Sequence, residues 1–100
     1  MTKKLIDNEK DIKIAAASIK AISHPLRLKI LCVLANGPLS VQDIVEQVGT
    51  SQSNISQHLA ILRDKGVLAT RKEANRVFYR IGNLRTLKLV KMIRDVFCTI

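Results

Sequence analysis

Apolar residues recur along this chain at two periods, and the places where the period changes divide it into elements. From 9 to 22, Ile12, Ala15, Ala16, Ile19 and Ile22 fall on one face of a helical wheel with Lys13 and Lys20 outside it, which predicts an amphipathic helix. That face is alanine-rich, so it admits close approach of another helix but buries little area alone; a neighbour, such as another subunit, is implied. Ser23-His24-Pro25 punctuates the chain, because a polar residue before a proline suits a first helical turn. In the helix that follows, Leu26, Leu28, Ile30, Leu31, Val33 and Leu34 occupy nearly the whole wheel, as in a central helix enclosed by others. Asn36-Gly37-Pro38 ends it. Ser40 then caps a third helix, with Asp43 at a capping-box position and Ile44, Val45 and Val48 as its apolar side.

Gly49-Thr50 turns the chain into a fourth helix over residues 51–65, with Ser51 as its cap. Ile55, Leu59 and Leu62, spaced by four and three, form one inward stripe. Opposite them lie Ser53, Ser56, Gln57 and Ala60, a face that is short, uncharged and bears amides and hydroxyls. A helix facing only water is usually rich in Lys and Glu. Gln and Asn can instead bond adenine in bidentate fashion, Ser suits several bases, and small residues let a helix sit deep in a major groove. Taken alone, the stretch also fits a core helix with an inert outer face. Its setting favours DNA: a short helix, a tight Gly turn and a helix with a polar outer face make a helix-turn-helix. The candidate DNA contacts here are Gln52, Ser53, Asn54, Ser56, Gln57 and His58. His58 lies at the flank of the buried stripe, where a phosphate or packing role fits better than a pH switch.

Gly66 closes this helix, and the period drops to two. V-L-A-T-R-K over 67–72 and R-V-F-Y-R-I over 76–81 are β-prone runs separated by Glu73-Ala74-Asn75. A basic hairpin directly after a helix-turn-helix reads as a wing, with Arg71, Lys72 and Arg76 near its tip to reach phosphates or the minor groove. Gly82-Asn83 breaks the hairpin. In a last helix over 84–98, Leu84, Leu87, Leu89, Val90, Met92, Ile93, Val96 and Phe97 cover well over half the wheel. That is too broad for packing on one small domain, so one side is expected on its own core and the other on a symmetry mate, against the first helix. The fold expected is mainly α with a small β-hairpin: a winged helix-turn-helix of about five helices and a two-stranded wing. It forms a single domain over residues 1–100, homodimeric through its first and last helices.

Charge sharpens the picture. The chain carries +9 overall, but residues 1–50 hold seven Lys and Arg against five Asp and Glu, whereas residues 51–100 hold ten against three. The excess sits with the candidate recognition helix and wing, where a phosphate backbone is the natural partner. An anionic membrane surface is a poorer match, since no segment joins a basic face to large apolar anchors. The core must be aliphatic, with 47% hydrophobic but only 3% aromatic residues. The longest apolar run, 30–35, is too short to span a bilayer, and the mixed charges of residues 1–13 are unlike a secretory signal, which predicts a cytoplasmic protein. Two cysteines in a reducing compartment are no permanent staple. No nucleophile, base and orienting group cluster at a usable spacing and no Gly-rich phosphate loop follows a strand, so no enzyme is expected.

The segments I-S-H-P-L-R-L-K-I-L at 22–31, S-Q-S-N-I-S-Q-H-L at 51–59 and L-R-D-K-G-V-L at 62–68, together with the wing, resemble the ArsR/SmtB family of bacterial winged-helix repressors. The likeness spans 12–98. It implies a homodimer on an inverted-repeat operator that releases DNA on sensing an inducer, with recognition helices about one DNA turn apart. Departures narrow the inducer. Where thiolate metal sensors of the family carry cysteines before the recognition helix, this chain has Val41, Gln42 and Asp43, and where zinc and nickel sensors pair ligands on the last helix it offers Asp95. No cofactor or metal is therefore expected, although a metal-responsive repressor is the alternative within the family. Cys32 and Cys98 resemble the paired cysteines of the BigR/HlyU/SqrR branch, which responds to reactive sulfur. Cys98 has Arg94 and Lys91 one and two turns back, where cations favour the nucleophilic thiolate, and Cys32 is expected to be the more enclosed, resolving partner. A reactive sulfur species or oxidant would then bridge the two thiols and release DNA. The competing readings are two buried apolar thiols in a redox-insensitive regulator and, in another class, a winged-helix protein-interaction module without DNA. The likeness leaves the operator, and the choice between repressor and displacer of another repressor, open.

Overall fold

The computed structural model describes residues 4–98. Local capping chemistry sets nearly every boundary. Helix α1 (Glu9–Ile22) begins where the Asn8 side chain accepts the Lys10 N–H at 2.8 Å. Helix α2 (Pro25–Leu34) begins where His24 Nδ1 accepts the Leu26 N–H at 3.1 Å, with Pro25 in the first turn. Ser40 Oγ accepts the Asp43 N–H at the start of α3 (Val41–Val48), and Gly49, at φ +86°, ends it. Helix α4 (Gln52–Asp64) starts on Ser51, whose Oγ accepts the Asn54 N–H at 3.1 Å. Its exit is a Schellman turn: Gly66 adopts φ +75°, Gly66 N–H donates to the Arg63 carbonyl and Val67 N–H to the Leu62 carbonyl. Helix α5 (Leu84–Phe97) is capped by Asn83.

The sheet differs from the expected two-stranded wing. Strands β2 (Leu68–Glu73) and β3 (Arg76–Ile81) pair antiparallel, and a third strand, β1 (Leu39–Ser40), adds to the other edge of β3, giving the order β1-β3-β2. Leu39 faces Tyr79 and Ser40 faces Phe78. This two-residue strand anchors the wing to the start of α3 and covers one edge of the hairpin. Glu73 joins β2, so the connection shrinks to Ala74-Asn75, with Ala74 at φ +55°. Gly82 suits the crowded base of the hairpin: a Cβ there would lie a tight 3.1 Å from the Gly66 carbonyl oxygen, and its N–H donates to the Val67 carbonyl.

The core joins α2, α3, α4 and the sheet. Ile30, Leu31, Ile44, Ile55, Leu59 and Leu62 are fully buried, with Tyr79 and Ile81 packed against the cluster from β3. Helix α2 is less enclosed than its wheel suggested. Ile30, Leu31 and Leu34 are buried, but Lys29 and Cys32 are exposed. Lys29 Nζ donates to the Val48 carbonyl at 2.9 Å, a cation on the C-terminal end of α3 where the helix dipole favours one.

Candidate nucleic-acid interface and the two cysteines

The buried stripe of α4 dictates what its opposite side shows. With Ile55, Leu59 and Leu62 turned inward, Gln52, Ser53, Ser56, Gln57 and Ala60 are all exposed. No charge intervenes among these side chains. Asn54 is half-buried and tied back, its Nδ2 donating to Thr50 Oγ1 at 3.3 Å, so it braces the turn before α4. His58 is likewise half-buried. Its Nδ1 accepts from Arg27 Nε at 3.1 Å and its ring lies 4.6 Å from that of His24. These contacts engage His58 with Arg27 and His24, an arrangement that fits the packing role expected for it beside a phosphate role. Arg27 also donates through Nη1 to the Ala21 carbonyl at 2.8 Å. Burial holds the His58 pKa below its ordinary value, with the nearby His24 and Arg27 acting the same way.

Strand β2 packs against α4 directly after the Gly66 turn. Alternation along the hairpin divides the predicted wing cations between its faces. Arg71, Glu73, Arg76 and Phe78 share one face, because Arg71 pairs with Phe78 and Glu73 with Arg76, whereas Lys72 pairs with Val77 on the other. Arg71 Nη2 meets Glu73 Oε2 at 3.0 Å in an exposed ion pair, which is readily exchanged for a phosphate contact. Arg80 falls on the Arg71–Arg76 face and was missed. Its place in R-V-F-Y-R, four residues after Arg76, carried the signal.

Cys32 differs from expectation. Both cysteines are exposed, Cys32 included. Cys32 opens into a groove between α2 and α5 that Ala35, Asn36, Val90, Lys91 and Arg94 complete. The two cations expected beside Cys98 thus border Cys32. Cys98 lies one turn beyond, its N–H donating to the Arg94 carbonyl at 2.8 Å, while the Arg94 guanidinium pairs with Asp95. Among the described residues no three His, Cys, Asp or Glu side chains gather where a metal ion could be held, and no helix is long and apolar enough to cross a membrane.

A helix-turn-helix presenting uncharged polar side chains, followed by a basic three-stranded wing, is the fold of a winged-helix DNA-binding transcriptional regulator, not of an enzyme. The chain belongs to the arsR family of bacterial regulatory proteins, whose family model matches residues 24–70. It is 37% identical to the biofilm growth-associated repressor of Xylella fastidiosa (strain Temecula1) over 93% of this chain and 82% of that protein. It is also 37% identical to the transcriptional activator HlyU of Vibrio cholerae, over 94% of this chain and 87% of HlyU. Solved structures of that HlyU superpose with TM-scores of 0.85 and, for the reduced protein, 0.83, covering 92% and 91% of this chain and 100% and 96% of theirs.

Proposed function

We propose that this regulator is a homodimeric repressor that occupies an inverted-repeat operator and releases it when Cys32 and Cys98 are joined by reactive sulfur or another oxidant. The observation that carries the proposal is the shared Arg94: it lines the groove into which Cys32 opens, and its carbonyl holds the N–H of Cys98. Cys32 thus faces α5 one turn before the helix ends at the exposed Cys98, and Lys91 and Arg94 attract an anionic oxidant to Cys32. The dimer is supported by the apolar surface that α1 and α5 leave exposed, with Ile19 at 60%, Met92 at 57%, Val96 at 60% and Phe97 at 80%. Repression is supported by the name of the Xylella relative, whereas the name of HlyU supports activation, as by displacement of another repressor.

The chemistry balances with an organic persulfide as oxidant. The Cys32 thiolate attacks the outer sulfur of RSSH, the S–S bond breaks, RSH leaves and Cys32 becomes a persulfide. The Cys98 thiolate attacks the Cys32 Sγ, the disulfide forms and hydrogen sulfide departs, so two thiols are oxidised as RSSH is reduced to RSH and hydrogen sulfide. A bridge between α2 and α5 shifts the helix that meets the partner subunit, and with it the spacing of the two recognition helices.

The test is fluorescence anisotropy on duplex DNA from upstream of the protein's own gene at fixed salt, comparing reduced with persulfide-treated protein. Treatment is expected to weaken binding at least about tenfold, or about 1.4 kcal/mol, reversibly with a thiol reductant. Cys98→Ser is expected to keep its affinity after treatment while Cys32 gains one sulfur by mass spectrometry. Tight binding by treated wild-type protein would leave a redox-insensitive regulator. A reporter driven from that promoter distinguishes repression from activation by the sign of its response to deletion of the gene.

A further inference from the structure

One polar contact stands beside the apolar seat of the recognition helix, and it does not belong to the DNA face. Arg27 reaches in two directions, Nε to His58 Nδ1 on α4 at 3.1 Å and Nη1 to the Ala21 carbonyl at 2.8 Å, so it ties the last turn of α1 to α4. Beside it, His24 Nδ1 accepts the Leu26 N–H at 3.1 Å, and the two imidazoles lie 4.6 Å apart at 46°. An arginine N–H and a backbone N–H are donors only. His58 Nδ1 in this arrangement is therefore a bare nitrogen, which the ring offers when it is neutral with its proton on Nε2. A proton added to His58 Nδ1 would set N–H against N–H and place a cation against Arg27. The charged and titratable groups that face His58 are Arg27 from α2 and His24 from the corner between α1 and α2; α1 contributes the Ala21 carbonyl. Both groups act in the same direction as burial, disfavouring the charged ring.

We infer that His24, Arg27 and His58 are positioning residues of the DNA-binding site, a latch that seats the recognition helix on the end of α1 while the His58 ring is neutral, so that acidification loosens the helix and weakens DNA binding. The direction distinguishes this from direct contact. A histidine reaching a phosphate gains affinity when it is protonated, whereas the latch loses it. By linkage, DNA that binds the latched form lowers the proton affinity of His58, whereas a phosphate contact raises it.

Two readouts on the wild-type protein test the inference: anisotropy on a labelled duplex from upstream of its gene at constant ionic strength, and NMR titration of the His58 ring with and without that duplex. Between pH 7.5 and pH 5.5 the dissociation constant is expected to rise at least about fivefold while circular dichroism shows the protein folded. The ring is expected to titrate below an unstructured histidine in the free protein and lower still on DNA. His58→Asn, which offers Arg27 an amide oxygen and does not titrate, is expected to reduce the pH dependence to less than about twofold. If that variant does not fold, the wild-type NMR comparison decides. Affinity that is unchanged or rises on acidification, or a His58 that titrates higher when bound to DNA, overturns the inference.

Discussion

The helix-turn-helix with its sheet and the pair formed by α1 and α5 use their apolar residues differently. Helix α3 has eight residues and buries Ile44 and Val48; α4 has thirteen and buries Ile55, Leu59 and Leu62. Helices α1 and α5 have fourteen residues each, yet α1 buries Ala21 and Ile22, both in its last turn, and α5 buries Val90. Ile12, Ile14, Ile19, Leu89, Met92, Val96 and Phe97 remain in water. In the first region the exposed face is polar because its apolar side chains are already satisfied by the core. In the second, apolar surface is surplus to the domain, and burying it against another chain would return roughly 25 cal/mol per Å² of apolar area. The contrast separates a region whose apolar faces are buried within the domain from one whose apolar faces are left exposed, the surface on which the proposed dimer would form.

The largest expected effect breaks the self-contained region. Leu59→Ala leaves a cavity under the recognition helix and is expected to cost about 2–5 kcal/mol, read as a lower urea midpoint. A cost near zero would mean that α4 is not seated by its apolar stripe. The next effect falls on the incomplete region. Phe97→Glu is expected to convert a sedimenting dimer to a monomer and weaken operator binding about tenfold, about 1.4 kcal/mol, with the helical circular dichroism retained. A wild-type chain that sediments as a monomer at micromolar concentration would defeat the dimer proposal. The smallest effect lies at the wing tip. Ala74→Gly removes a side chain from a left-handed backbone position and is expected to raise stability by up to about 1 kcal/mol. Its unfolding midpoint would fall instead if that turn were not held in the left-handed region.

The His58 pH window follows from the same distinction between folded and unfolded protein. Its folded pKa is depressed, so the unfolded chain binds the proton first. Stability contributed by the neutral ring is present above the unfolded value of about 6.5 and is lost as pH falls from there toward the folded pKa.

Much of the fold was legible because its signals are local. The helix over 9–22 and the start of the last helix at Leu84 fell where the structure has them, set by a run of one-sided apolar positions and by Asn83 as cap. Strand β1 was not legible, since two residues between Pro38 and a helix cannot display a period of two; only Phe78 and Tyr79, almost forty residues away, make it a strand. The candidate site divided in the same way. The exposed face of α4 follows from its own stripe, but the tie of Asn54 to Thr50, the engagement of His58 with Arg27 and the separation of Lys72 from Arg71 each depend on a second element or on strand pairing. Lys91 and Arg94 were assigned to Cys98 because seven and four residues place them on its side of a helix. The same wheel positions also face α2, which a single helix cannot reveal.

What this sequence determined by itself was the five helices and the hairpin, the caps at Ser40 and Ser51, the inward stripe of the recognition helix and the concentration of positive charge in its second half. Each depends on spacings of a few residues, over which backbone geometry is a local matter. Tertiary structure decided that Cys32 is exposed beside two cations, that Arg27 joins α1 to α4 through His58, and that two residues before α3 complete the sheet. Those are meetings of groups far apart in the chain, and only the packing of the core brings them together.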